Sequence, residues 1–144
     1  SVLEKAGLSV SCVEDPRPFL WKKVAVNATI NTVTALTGME NGKLLHHVPV
    51  LEMMKSICEE TRKAAERVGV SLALDDLWDM VKDTMQLTAG NRSSMLQDIE
   101  KGRMTEIESI AGEILKLAEN EREFPCTRTL YSLIRSIDLS RFLE

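Results

Sequence analysis

Between Pro18 and Gly38 the chain runs through an apolar stretch, Phe19–Leu36, that carries Lys23, Asn27 and Asn31 at intervals of four. An α-helix turns about 100° per residue, so positions i, i+4 and i+8 form one slowly drifting stripe. Leu20, Val24, Val26, Ala28, Ile30, Val33 and Leu36 occupy the other faces. A segment so apolar belongs largely inside a core, and a lysine carried inside it needs a reason. One ammonium and two carboxamides on a line suit a small anionic, oxygen-rich ligand. The asparagines strengthen that reading, because mid-helix their side chains compete for backbone hydrogen bonds. The competing reading is a lysine whose stem snorkels while its head stays in water.

Proline and glycine punctuate the rest of the chain into helices. Ser1–Asp15 reads as an amphipathic piece followed by a short extended stretch, ending at Pro16-Arg17-Pro18. The first long helix is predicted over Phe19–Thr37, stopped by Gly38. Asn41-Gly42 marks a turn. Pro49 opens a second helix through Val68, with Val50, Met53, Met54, Ile57, Cys58 and Ala65 on its inner side. A third is predicted over Leu74–Leu87, and a short fourth runs to Ile99 with Ser93 or Ser94 as its cap. Thr105 caps a fifth, Glu106–Asn120, and the last spans Thr127–Asp138. Strand-like alternation appears only in the first fifteen residues. The prediction is an all-α multi-helix bundle.

Composition agrees. Hydrophobic residues make up 44% of the 144 and aromatics only 4%, so the core must be aliphatic and methionine-rich. A net charge of −4 with interleaved signs gives no electrostatic case for nucleic acid or an anionic membrane. No apolar run reaches the ~20 residues of a membrane span, and the start resembles no signal peptide. Cys12, Cys58 and Cys126 are odd in number and far apart, which supports neither a disulfide framework nor a zinc site. Reduced thiols in a cytoplasmic protein are the expectation. Neither GxGxxG nor a P-loop is present. The chain begins at Ser1 rather than Met, so a segment of a longer protein is expected.

Two further clusters invite chemistry. Asn91-Arg92-Ser93-Ser94-Met95-Leu96-Gln97-Asp98-Ile99 places a loop ahead of a helix start, whose free N–H groups and dipole, with Ser94 beside them, suit a carboxylate. Its bland reading is a capped loop. Thr105-Glu106 reads equally well as a capping threonine with a carboxylate in the first helical turn. His46 and His47 are adjacent, point apart, and read as surface residues. Asp75, Asp76 and Asp79 read as an acidic helix start. No Ser-His-Asp or Cys-His spacing supports a hydrolytic triad.

Together, Trp21-Lys22-Lys23, Asn27, Asn31, Thr34-Ala35, Asn41-Gly42, Asn91, Ser93–Ile99 and Thr105-Glu106-Ile107 resemble the C-terminal domain of ketopantoate reductase. That domain falls in the 6-phosphogluconate dehydrogenase C-terminal-like superfamily. The order and separations are similar from about Trp21 to Pro125, and Ala6-Gly7-Leu8 followed by Val10 resembles the end of the family's preceding domain. Thr32 stands where the family often has proline, Ala111-Gly112 where it has Asn-Gly, and Thr127 where an asparagine often follows the proline.

The resemblance implies a helical substrate-binding domain over residues 18–144, with residues 1–17 the remnant of a Rossmann domain and linker. The family's complete enzyme binds NADPH in that Rossmann domain and reduces 2-dehydropantoate to pantoate, on the route to pantothenate and coenzyme A. It further implies Lys23 as the acid beside the ketone, with Asn27, Asn31, Asn41 and Ser94 around the substrate and Asn91 in the same loop. Glu106 would sit near both the cofactor ribose and the lysine, as a catalytic and cofactor-binding residue. No metal is implied. The partners implied are a small 2-oxo acid and the Rossmann domain of the same parent chain, without which the fragment is expected to be inactive. Alternatives are a related reductase for another 2-oxo acid, or a non-catalytic helical module that pairs as a homodimer.

Overall fold

The computed structural model describes residues 14–143. The readings placed on Ser1–Val13, including Cys12 and the extended stretch, lie outside it. Among the described residues the chain is all-α. The first rod comprises α1 (Arg17–Val26), a π-helical segment (Asn27–Asn31) and α2 (Thr32–Thr37). A 3₁₀ turn (Asn41–His46) leads to α3 (Val48–Arg67), α4 (Leu74–Leu87) and α5 (Ser94–Glu100). A second π segment (Glu108–Gly112) then runs into α6 (Glu113–Leu115), and α7 (Pro125–Ser140) closes the domain.

The first rod is the hub. Its α1 half packs on α3 and α4, and its α2 half on α5 and α7. Ala25, Ala28, Ile30 and Val33 line its buried side, facing core residues such as Ile57, Leu77, Met85 and Ile134. Three threonines enter this core as well: Thr29, Thr32 and Thr34 are buried, and each donates to the carbonyl four residues back, at 2.7, 2.6 and 2.7 Å. That back-bonding satisfies buried hydroxyls at some cost to helix regularity, and it coincides with the π segment. Gly38 ends the rod at φ 72°, its N–H returning to the Thr34 carbonyl at 2.8 Å. Only glycine takes that left-handed turn without strain.

Helix α4 matches its predicted span, and the other ends differ for local reasons. Pro18 lies inside the first turn of α1, where its missing N–H costs nothing, so the helix begins at Arg17. Past Leu115 the chain turns away instead of continuing to Asn120. There the Arg67 guanidinium holds both the Leu117 carbonyl and the Glu123 carboxylate, and the Glu119 N–H bonds to Glu123 at 2.6 Å. Helix α7 starts two residues early because Pro125 opens it and a buried carboxylate caps it. Glu60 of α3 accepts from the N–H groups of Cys126 and Thr127 and from the Thr127 hydroxyl, at 2.9, 2.8 and 2.5 Å. A negative charge there also opposes the positive end of the helix dipole. His46 and His47 are exposed, and Asp75 and Asp76 form the acidic first turn of α4. No helix among the described residues is long and apolar enough to cross a membrane.

Two measurements check this packing. Glu60→Ala leaves three donors without their acceptor, and is expected to lower stability by about 2 kcal/mol in urea denaturation. Burial pushes the Cys58 thiol from its ordinary value of 9.0 up to about 12. In the unfolded chain this thiol ionises at lower pH than in the native one, so its contribution to stability falls as pH rises from 9.0 towards about 12. Native Cys58 should therefore resist thiol reagents at mildly alkaline pH and react only on unfolding.

Candidate functional site

Asn31, Ser94, Met95, Asp98, Glu106 and Ile110 line one narrow, tightly closed crevice. Three places supply its walls: the end of the first π segment, two successive turns of α5, and the residues entering the second π segment. Met95 and Ile110 are buried beneath it. Asn31 and Asp98 are half-buried, while Ser94 and Glu106 are exposed.

Ser93, rather than Ser94, caps α5. Its hydroxyl oxygen accepts the Leu96 N–H at 3.1 Å and its proton goes to the Thr34 hydroxyl oxygen at 2.6 Å, the Thr34 proton being held by the Ile30 carbonyl, with both Thr34 and Ser93 buried. This pair fastens α5 to α2 and leaves Ser94 free on the crevice side. At its other end α5 closes around Gly102 (φ 70°), with the Gly102 and Arg103 N–H groups returning to the carbonyls of Ile99 and Asp98 at 3.2 and 2.8 Å. That double bond is a Schellman closure, and it directs the chain back towards Thr105 and Glu106.

The Lys23, Asn27 and Asn31 stripe is kept in line by the π segment. Four α-helical residues overshoot a full turn by about 40°. Over Asn27–Asn31 the backbone bonds step to i+5, so each residue turns less and the overshoot between the two asparagines shrinks. Of the two readings of Lys23, the structure matches the one with its head in water. Lys23 is exposed, not buried, because the α1 end of the rod stands clear of the core: Phe19 and Leu20 there are 62% and 52% exposed, and full burial begins at Ala25. Lys23 and Asn27 stand two turns and one turn N-terminal to Asn31, beyond the residues that line the crevice.

Asn41 and Asn91 belong to a neighbouring junction. The Asn41 N–H donates to the Asn91 carbonyl at 2.9 Å and its side-chain amide to the Thr88 hydroxyl at 2.9 Å. The Gly42 N–H donates to the Ala89 carbonyl at 3.0 Å, and a Cβ on Gly42 would lie 2.5 Å from the Cβ of Ala89. Glycine is needed for that approach. Asn41 is 7% exposed, and its side-chain oxygen is buried with no partner. An orphaned acceptor at such a site is what a ligand hydroxyl or ammonium would satisfy. The Asn91 side chain is exposed.

Asp98 was not among the expected site residues. Its signal lay in the sequence all the same: it follows Ser94 by four, one turn along the same face of α5. With Glu106 it gives the crevice two carboxylates, beside one carboxamide and one hydroxyl. Such a set accepts hydrogen bonds from ligand hydroxyls and attracts a cation. A bare carboxylate ligand requires compensating positive charge, and Lys23 carries one on the adjoining stripe. Among the described residues no group of His, Cys, Asp or Glu is arranged to hold a metal ion.

An all-α domain with a polar crevice between its first rod and a short capped helix is thus the class that fold and site define. Residues 16–138 match the sequence family described as ketopantoate reductase PanE/ApbA C terminal, and the chain belongs to that family. It is 37% identical over 139 residues to the 2-dehydropantoate 2-reductase of Archaeoglobus fulgidus, covering 95% of this chain and 46% of that protein. To the 2-dehydropantoate 2-reductase of Salmonella typhi it is 44% identical over 102 residues, 71% of this chain and 33% of that protein. The chain therefore spans less than half the length of these curated relatives. Among solved structures, the PanE/ApbA family ketopantoate reductase from Ralstonia eutropha JMP134 superposes with TM-score 0.85 at 27% identity, over 97% of this chain and 47% of that one. A D-mandelate dehydrogenase with NADH and anilino(oxo)acetate shares the fold with TM-score 0.85 at 22% identity, over 97% of this chain and 78% of that one.

The two serines separate structure from chemistry. Ser93→Ala removes the cap and the link to the Thr34 hydroxyl, with an expected loss of about 1–2 kcal/mol in urea unfolding. Ser94→Ala is expected to stay within about 0.5 kcal/mol of the wild type.

Proposed function

We propose that this chain is the substrate-gripping domain of an NADPH-dependent reductase that converts 2-dehydropantoate to pantoate, working with a Rossmann domain that ends near residue 17. The observation that carries the reading is the convergence of Asn31, Ser94 and Glu106, from three separated segments, on one crevice. The names of the relatives at 37% and 44% identity support the choice of substrate.

The division of labour follows from the side chains. Bound NADPH supplies a hydride to the ketone carbon. Lys23 holds a proton at Nζ, beside the ketone oxygen, and releases it there as negative charge builds. Its exposure suits this role, because the side chain is open to an incoming substrate. Asn27 and Asn31 orient the substrate's hydroxyl and carboxylate oxygens, and Ser94 closes the pocket. Asn41 offers its unpartnered side-chain oxygen to a substrate hydroxyl, and Asn91 holds the loop against it. Glu106 and Asp98 are acceptors; Glu106 suits the ribose hydroxyls of the cofactor and the Lys23 ammonium together.

In the full-length protein, NADPH oxidation should depend on added 2-dehydropantoate, and Lys23→Ala should lower kcat by about 10²–10⁴-fold. Unchanged turnover in that variant would remove Lys23 from the chemistry. Reduction of a different branched 2-oxo acid, with 2-dehydropantoate inert, would keep the grip and replace the substrate.

A further inference from the structure

Glu106 stands immediately before the helical run that opens at Ile107, and its carbonyl accepts the Ile110 N–H at 3.2 Å. The residue before it is held from the far side of the domain. Asp138, on α7, is fully buried. One of its oxygens accepts the Thr105 N–H at 3.1 Å, and the other accepts the Thr105 hydroxyl proton at 2.7 Å. The Thr105 hydroxyl oxygen in turn accepts the Ile107 N–H at 3.3 Å. Thr105 is therefore more than a cap, since both of its donors are committed to one carboxylate 33 positions away. A second tie lies just beyond: Glu108 accepts the Tyr131 hydroxyl proton at 2.5 Å and pairs with the Arg135 guanidinium at 3.3 Å, both on α7.

We infer that Asp138 is a positioning residue, which acts through Thr105 to aim the Glu106 carboxylate into the crevice beside Asn31 and Ser94. A threonine cap alone would start the helix. A fully buried carboxylate is an expensive way to add stability, and apolar replacements of buried charges are often neutral or stabilising. What it adds here is direction: two bonds from one rigid helix fix both the backbone and the side chain of the residue next to Glu106. The inference rests on the proposed role of Glu106.

The test is a double-mutant cycle in the full-length protein. Asp138→Asn should lower kcat/KM for 2-dehydropantoate about 10-fold or more with the fold retained by circular dichroism, and should cost nothing further in a Glu106→Gln background. Thr105→Val should reproduce the loss and Thr105→Ser should restore activity; this pair carries the test should Asp138→Asn fail to fold. Losses that multiply in the double variant, with Glu106→Gln itself impaired, overturn the positioning role and leave the proposed function standing. A fully active Glu106→Gln protein overturns the positioning role together with the role proposed for Glu106, whereas a wild-type protein without 2-dehydropantoate turnover overturns the proposed function itself. Amide exchange gives a readout independent of substrate: in Asp138→Asn, or in Thr105→Val, a peptide spanning residues 104–107 should exchange about 10-fold faster while α7 keeps its protection. Unchanged exchange there overturns the inference.

Discussion

A hydroxyl–hydroxyl bond of 2.6 Å between Thr34 and Ser93, both buried, is the joint on which this domain depends. Thr34 belongs to the central rod, and Ser93 is the cap that starts α5. Each hydroxyl also keeps a backbone partner, Thr34 the Ile30 carbonyl at 2.7 Å and Ser93 the Leu96 N–H at 3.1 Å, so the bond between them ties two already anchored groups together. The bond thereby sets where α5 begins relative to the rod. Three of the polar lining residues follow from that register: Asn31 lies one turn before Thr34, Ser94 directly after Ser93, and Asp98 one turn further along α5.

The same economy recurs at other joints. Buried carboxylates close gaps between distant segments, Glu60 from α3 onto the start of α7 and Asp138 from α7 onto Thr105. Helix α7 is thus held by one acid at its first turn and holds the Glu106 bend with another near its last. The three departures from the family pattern fit into this framework. Thr32 turns its hydroxyl onto the Ala28 carbonyl, and Thr127 turns its own onto Glu60. Ala111, the third, is buried beside Gly112, a glycine the pattern shares and whose lack of a Cβ leaves room for the Glu108 carboxylate, 2.8 Å from where that atom would stand. None of the three positions is among the residues that line the crevice.

Much of this was legible in the residues. Apolar spacing with prolines and glycines located the helices, and α4 was placed to the residue because Leu74–Leu87 has a clean period and no competing tertiary tie. The link between Asn31, Ser94 and Glu106 was legible only through the family resemblance, since nothing local joins segments sixty residues apart. Three things were not legible. The π segments leave no mark on composition, because an i+5 bond and an i+4 bond use the same backbone groups. The choice between Ser93 and Ser94 was decided by Thr34, a residue of another helix. The exposure of Lys23 agrees with the solvated-head reading, but periodicity alone left it open, because it assigns faces and does not reveal how far a helix end projects beyond its neighbours.

The central claim is that Lys23 and the Asn27–Asn31 stripe grip the substrate at the mouth of this crevice. A crystal structure of the full-length protein with pantoate and NADP⁺ tests it most directly. The expected result places pantoate between the stripe and α5, with the Lys23 Nζ within about 3 Å of the hydroxyl derived from the ketone and Asn31 on its oxygens. Pantoate bound away from this stripe, or a Lys23 ammonium turned to solvent with the ligand in place, would contradict it.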